Sequence, residues 1–96
     1  MKNLLPNGSV VVLKDSNRKI MIHARWQGLE GETENRIFDY GACLYPEGTL
    51  DANETILFDH ENIEYVLFVG YRDIDEFKYL EYIKEQVEEK NSWFSS

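Results

Sequence analysis

Cysteine is almost absent from this sequence, since Cys43 is the only one among 96 residues. One thiol cannot form an internal disulfide framework, and it cannot supply a cysteine-rich zinc site. The sequence also lacks the glycine-rich phosphate-binding patterns of nucleotide enzymes and the Gly-x-Ser-x-Gly turn of α/β-hydrolases. These absences leave no motif that points to a catalytic or metal-dependent activity.

Basic residues and long apolar runs are scarce as well. Lys and Arg total 10 against 18 Asp and Glu, for a net charge of -8. That balance argues against binding to nucleic acid or anionic lipid, because both need a cationic surface. The longest apolar stretches, residues 10–13 and 65–69, are too short to span a membrane, and the N-terminus does not resemble a secretory signal. We therefore expect a cytoplasmic protein without a nucleic-acid or membrane partner and without a cofactor.

The composition and the hydrophobic pattern favour one folded domain over residues 1–96, with 43% hydrophobic and 14% aromatic residues. Turn formers bracket an apolar strand at 9–14, and alternation over 18–26 predicts the second strand of a β-hairpin. The glycine-rich acidic stretch 27–35 is predicted to be a loop. Three more strands are predicted at 37–45, 55–58 and 63–71. The last is the most apolar, so we expect it at the centre of the sheet.

A C-terminal helix is predicted from Asp73 to about Lys90. Asp73 can cap its first turn, and Glu76 three residues later completes a capping box. The apolar face of this helix comprises Phe77, Leu80, Ile83 and Val87, and Ile74 lies near the edge of that face. The core then spans residues 4–90, and residues 91–96 form a flexible tail.

Five short strands followed by one helix predict an α+β fold with an antiparallel sheet. Two arrangements remain open, a sheet curled into an SH3-like barrel and a flatter sheet with the helix on one face. Charge is uneven along the chain, since residues 1–25 carry five basic side chains and only one acidic one, Asp15. Such polarity can orient a partner, although an ordinary solvated surface is the favoured explanation.

Three residues are candidates for chemistry. His60 lies between Asp59 and Glu61, but neighbouring residues on extended backbone point in different directions, so an ordinary turn is favoured over a metal site. His23 has no second histidine at metal-ligand spacing. Cys43 lies between Ala42 and Leu44, where a buried thiol is more common than a nucleophile. We predict that the protein is not an enzyme.

Aromatic residues carry the functional prediction, because a core of this size cannot bury all six Tyr, five Phe and two Trp. Tyrosine and tryptophan provide large contact areas in protein interfaces. Partial exposure is expected for Trp26 and for the residues of the predicted contact surface. That contact surface comprises Tyr40, Tyr45, Tyr79, Tyr82, Trp93 and Phe94.

Several segments together resemble a family of small Firmicute proteins, numbered 4176 among the domains of unknown function. The segments are 5–11 (LPNGSVV), 19–22 (KIMI), 38–48 (FDYGACLYPEG), 58–63 (FDHENI) and 69–71 (VGY). The similarity spans roughly Leu4 to Leu80. Members are often encoded beside type VII secretion genes and their toxins, and no catalytic residue is carried over.

The resemblance implies a cytoplasmic accessory protein, a chaperone or adaptor that binds a secreted effector, through a helical region of that effector. The alternative is an immunity protein whose acidic surface blocks the active site of a cognate toxin. Two further hypotheses are an enzyme that uses Cys43 or His60, and a homo-oligomer in which the apolar tail docks on a neighbouring copy.

Overall fold

The computed structural model describes residues 3–30 and 35–94. Five strands precede one long helix, as the sequence predicts. The strands are β1 (Val10–Leu13), β2 (Lys19–Glu30), β3 (Asn35–Leu44), β4 (Ile56–Phe58) and β5 (Ile63–Phe68). A short 3-10 turn at His60–Asn62 leads into β5, and the helix α1 covers Ile74–Phe94.

The five strands form one antiparallel sheet in the order β4-β3-β2-β1-β5. The α+β prediction is therefore confirmed. Of the two arrangements left open, the open sheet with a helix on one face is observed. The SH3-like barrel is not formed, because β4 and β5 lie at opposite edges and do not pair with each other.

The position of β5 differs from the prediction. Its apolar sequence suggested the centre of the sheet, but it is an edge strand that pairs only with β1 among the described strands. The hydrophobicity of a strand indicates that its burial is favourable, but the connectivity of the chain determines which strands lie beside it. Here β3, β2 and β1 occupy the three central positions of the sheet.

One face of the sheet, which we call the inner face, holds the core. Val11, Ile20, Ile22, Tyr40, Ala42 and Phe58 are buried there, together with Leu4 and with Ile83 of α1. Leu80 and Val87 pack against the same cluster. The predicted apolar stripe of the helix is thus confirmed at these three positions, which are spaced to lie on one helical face.

The beginning of α1 is capped by Asp73, as predicted. Its Oδ1 accepts hydrogen bonds from the backbone N–H groups of Asp75 (3.0 Å) and Glu76 (3.2 Å). The reciprocal half of the capping box is replaced by another contact, because the Glu76 carboxylate binds Arg25 of β2. A buried guanidinium attracts the carboxylate more strongly than a backbone N–H does.

Two element boundaries differ from the sequence prediction by four residues, the ends of β2 and of α1. Residues 27–30, predicted as loop, continue β2, because Gln27 pairs with Phe38 and Gly28 with Ile37 in an extended ladder. Residues 31–34 of that predicted loop lie outside the described residues. The helix continues four residues past its predicted end at Lys90, to Phe94.

A close backbone approach joins the N-terminal segment to the end of β5. Ser9 Oγ donates to the carbonyl oxygen of Pro6 (2.7 Å) and accepts from the N–H of Gly70 (3.0 Å). The Gly70 Cα lies so close to Asn7 and Gly8 that a side chain there would collide with their backbone. Residues 70–73 then lead directly into α1.

Candidate functional site

Tyr40, one of the predicted contact residues, is buried in the core. Its side chain is 0% exposed, because the hydroxyl lies in the core and forms hydrogen bonds there. The oxygen accepts from the N–H of Leu5 (2.9 Å) and bonds with Nδ1 of His60 (2.6 Å). The expectation of partial exposure is therefore wrong for this residue, whose ring also packs against Phe58.

Tyr79 and Tyr82 are exposed and lie together on one flank of α1, with ring centroids 6.3 Å apart. The guanidinium of Arg25 lies 5.3 Å from the Tyr79 ring centroid. Tyr45 is also exposed, but it follows β3 and bonds through its N–H to Lys19, at the other end of β2 from Arg25. Lys19 and Arg25 are six residues apart in β2, and Arg25 contacts Tyr79. Tyr45 therefore lies about 20 Å along the strand from Tyr79.

The remaining two residues of the predicted contact surface lie at the end of α1. The side chains of Trp93 and Phe94 are outside the described part of the chain. Trp26, also expected to be partly exposed, is half-buried against the core cluster. Of the four predicted contact residues whose side chains the structure describes, only Tyr79 and Tyr82 lie together.

Of the two imidazoles that the sequence offered for chemistry, the structure places His23 near the Cys43 thiol and His60 elsewhere. Cys43 is buried, and its Sγ lies 3.7 Å from the carbonyl oxygen of Met21. It shares with His23 the lining of a pocket of about 20 Å³, which is room for roughly one water molecule. His60 bonds instead to Tyr40.

Neither a metal site nor a membrane-spanning helix is found in the part of the chain that the structure describes. Within residues 3–30 and 35–94, no three side chains of His, Cys, Asp or Glu come together as metal ligands. Among the described residues, no helix combines the length and the apolar composition that a membrane span requires.

The most extensive exposed apolar region runs from β5 into the first turn of α1. We call it the 65–77 surface, and its members are Tyr65, Val66, Leu67, Phe68, Val69, Tyr71, Ile74 and Phe77. Each exposes nearly half or more of its area. Isolated exposed hydrophobic residues are ordinary, but large apolar patches are uncommon on monomeric proteins and are typical of surfaces that another molecule covers.

Both faces of β5 contribute to this surface. Val66 pairs with Val11 and therefore lies on the inner face, where the helix packs. Tyr65 pairs with Val12 and Phe68 with Val10, which places their side chains on the outer face of the sheet. Leu67 is an extra residue between the paired positions Val66 and Phe68. The strand is thus exposed on two faces and along its free edge.

A cleft of about 530 Å³ adjoins the helical part of the 65–77 surface. It is lined by Asn3, Leu4, Arg72, Phe77, Leu80, Glu81 and Lys84. Phe77 is 53% exposed at its rim, and Nη2 of Arg72 lies 3.5 Å from the carbonyl oxygen of Leu4. The cleft thus combines an apolar wall with two cations and one anion, although the whole chain is acidic.

Hydrogen bonds shift the pKa of two exposed groups. Tyr71, in the 65–77 surface, donates from its hydroxyl to Asp73 (3.2 Å), and this bond together with the nearby negative charge raises the pKa of the tyrosine. At the far end of the sheet, the hydrogen bond from Arg18 lowers the pKa of Glu47.

Sequence reasoning missed the 65–77 surface, because an apolar strand was assigned to the centre of the sheet. The sequence nevertheless contained an indication that one face of the sheet is exposed. Both β1 (VVVL) and β5 (IEYVLF) contain continuous apolar runs, which are typical of strands covered on both faces. A single helix can cover only one face of a sheet, so one face of these strands had to remain open.

The comparisons with known proteins agree with the resemblance noted in the sequence. No curated protein and no solved structure matches the chain significantly. The family model with the description "Domain of unknown function (DUF4176)" matches residues 4–79, which include all five strands and the first part of α1. The match covers most of the 96 residues, and the chain therefore belongs to this family.

Proposed function

We propose that this protein is a non-enzymatic binding module that holds another protein through the helical part of the 65–77 surface. The observation that carries the proposal is the exposure of Ile74 and Phe77 beside the 530 Å³ cleft. A concave site with an apolar wall and a few charged groups is typical of binding sites. Exposed aromatic residues that become buried at the centre of a protein interface contribute strongly to binding.

The shape and chemistry of the cleft favour an amphipathic helix as the bound element. Leu4, Phe77 and Leu80 can receive its apolar face, while Arg72 and Lys84 can pair with acidic residues on its flanks. Tyr79 and Tyr82 lie on the opposite flank of α1, so they extend the contact only if the partner wraps around the helix.

The partner class in this proposal is a secreted effector of the type VII pathway, with the protein acting in the cytoplasm as its chaperone or adaptor. The resemblance to proteins encoded beside such genes supports this choice. Effectors of that class offer long amphipathic helices, and the cleft accepts that kind of element.

Replacing Phe77 with serine is expected to weaken effector binding about 30-fold, since loss of a central aromatic contact costs about 2 kcal/mol. The test co-expresses the protein with the helical export region of an effector encoded beside its gene, and isothermal titration calorimetry measures the affinity. Phe77 is half exposed, so the variant should retain the fold, which circular dichroism checks.

Leu50→Ser provides the matched control. Leu50 is 71% exposed in the β3–β4 connection, far along the chain from α1, and its loss should leave the affinity unchanged. The proposal is wrong if no neighbouring effector binds, or if Phe77→Ser and Leu50→Ser bind it equally well.

The strong acidity of the chain favours immunity as the second candidate function. A net charge of -8 suits a protein that covers a cationic toxin site. In this case co-expression with the isolated toxin domain should restore growth of a poisoned strain, whereas a chaperone that binds only the export region should give no rescue. Growth curves with and without the protein decide between the two functions.

A further inference from the structure

The two edges of the sheet differ in how well they are protected from pairing with other strands. The edge strand β4 has only three residues, and short edge strands are poor templates for pairing. β5 has six residues and its outer backbone groups face no other described strand. Natural edges of this length are usually blunted by lysine, proline, inward charges or β-bulges. The ladder of β5 with β1 is irregular between Val10 and Val11 and between Val12 and Leu13. The other devices are scarce, because residues 63–71 contain neither lysine nor proline and only one charged residue, Glu64.

From this edge we infer that two copies of the chain pair through antiparallel β5 strands and form a symmetric dimer with one continuous ten-stranded sheet. An antiparallel pairing of identical strands is self-complementary about a two-fold axis, so it closes at two copies. It removes the long edge of both copies and leaves only the short β4 strands at the ends of the combined sheet.

The exposed area on β5 sets an upper limit on the interface of such a dimer. Half-exposed aromatic and large aliphatic side chains each leave about 80–100 Å² in contact with solvent. The five residues Tyr65–Val69 therefore offer at most about 400–500 Å² per copy. Edge pairing covers only the part of these side chains that faces the neighbouring strand, so the interface stays below the roughly 1,000 Å² of stable specific complexes. We therefore expect weak association, with a dissociation constant in the micromolar range.

The charges on the strand also permit self-pairing. If the two-fold axis lies near Val66 and Leu67, the two Glu64 side chains are separated by about 15 Å along the strands, beyond the Debye length at physiological salt. The net charge of -8 on each copy remains repulsive at longer range. We therefore expect the dimer to become tighter when salt screens this repulsion.

The dimer uses a different part of the 65–77 surface from the proposed effector site. Leu67 lies on the free strand, whereas Phe77 borders the cleft on α1. The two proposals can therefore be tested separately. A chain that stays monomeric can still bind an effector, and a chain that dimerises can still bind no effector.

The test is sedimentation equilibrium of the purified chain between 5 and about 200 μM, a range that spans micromolar dissociation constants. We expect the mass to rise from the 11.3 kDa of one chain toward twice that value. Leu67→Lys should raise the dissociation constant at least tenfold, and Leu50→Lys, at a more exposed leucine away from β5, should not. Hydrogen exchange of residues 63–68 should slow with protein concentration.

Several outcomes would overturn the inference. A wild-type chain that stays monomeric at the highest concentration contradicts it, and so does open-ended association beyond the dimer. The same holds if Leu67→Lys dimerises like the wild type, or if added salt dissociates the dimer. Circular dichroism of Leu67→Lys confirms that the variant is folded, since Leu67 is 52% exposed in the single chain.

Discussion

Replacing Glu76 with alanine is expected to lower the free energy of unfolding by about 3–5 kcal/mol, as measured by urea denaturation. Glu76 forms a bidentate ion pair with Arg25, with distances of 2.6 and 2.5 Å. The Arg25 side chain is 3% exposed, so the substitution leaves a guanidinium buried without its counter-charge. Alanine is the better helix former, so helix propensity cannot account for a loss.

Two further variants test this explanation. Glu85→Ala removes an exposed carboxylate from the same helix and should change stability by less than about 0.5 kcal/mol. The double variant Arg25→Met/Glu76→Leu should recover most of the loss, because apolar side chains replace both charges. An unfolding free energy of Glu76→Ala within about 1 kcal/mol of wild type would show that water reaches Arg25.

Gly70→Ala is the second substitution with a large expected effect, a loss of about 3 kcal/mol or more. A Cβ at this position would collide with the backbone carbonyl oxygen of Asn7 and would lie 3.1 Å from the carbonyl carbon of Gly8. Backbone cannot rotate aside as a side chain can. The chain must therefore separate, and the hydrogen bond from Gly70 to Ser9 Oγ weakens with it.

Gly28→Ala is the matched control, since no described atom lies within 4 Å of a Cβ there. We expect its midpoint of thermal unfolding to stay close to that of the wild type, and that of Gly70→Ala to fall by about 10 °C or more. Equal midpoints for the two alanine variants would mean that the 6–9 segment is not held against residue 70.

The secondary structure could be predicted largely from local pattern, while the site could not. The alternation in β2, the capping aspartate Asp73 and the helical spacing of Leu80 and Ile83 are local features, so their elements were recognised. Exposure depends on residues distant in sequence. Tyr40 is buried because His60 and the N-terminal segment pack against it. The residues next to Tyr40 in the sequence do not indicate these contacts.

By itself, the sequence determined that this is an acidic α+β domain with one C-terminal helix, and its motifs pointed to the family. Those properties follow from composition and from short-range periodicity, which need no knowledge of distant contacts. Only the tertiary structure decided that β5 is an edge strand and that the exposed apolar surface runs from Tyr65 to Phe77. Strand order arises from competition among pairings across the whole chain. An apolar run indicates that a strand favours burial, but it does not indicate which element will cover it.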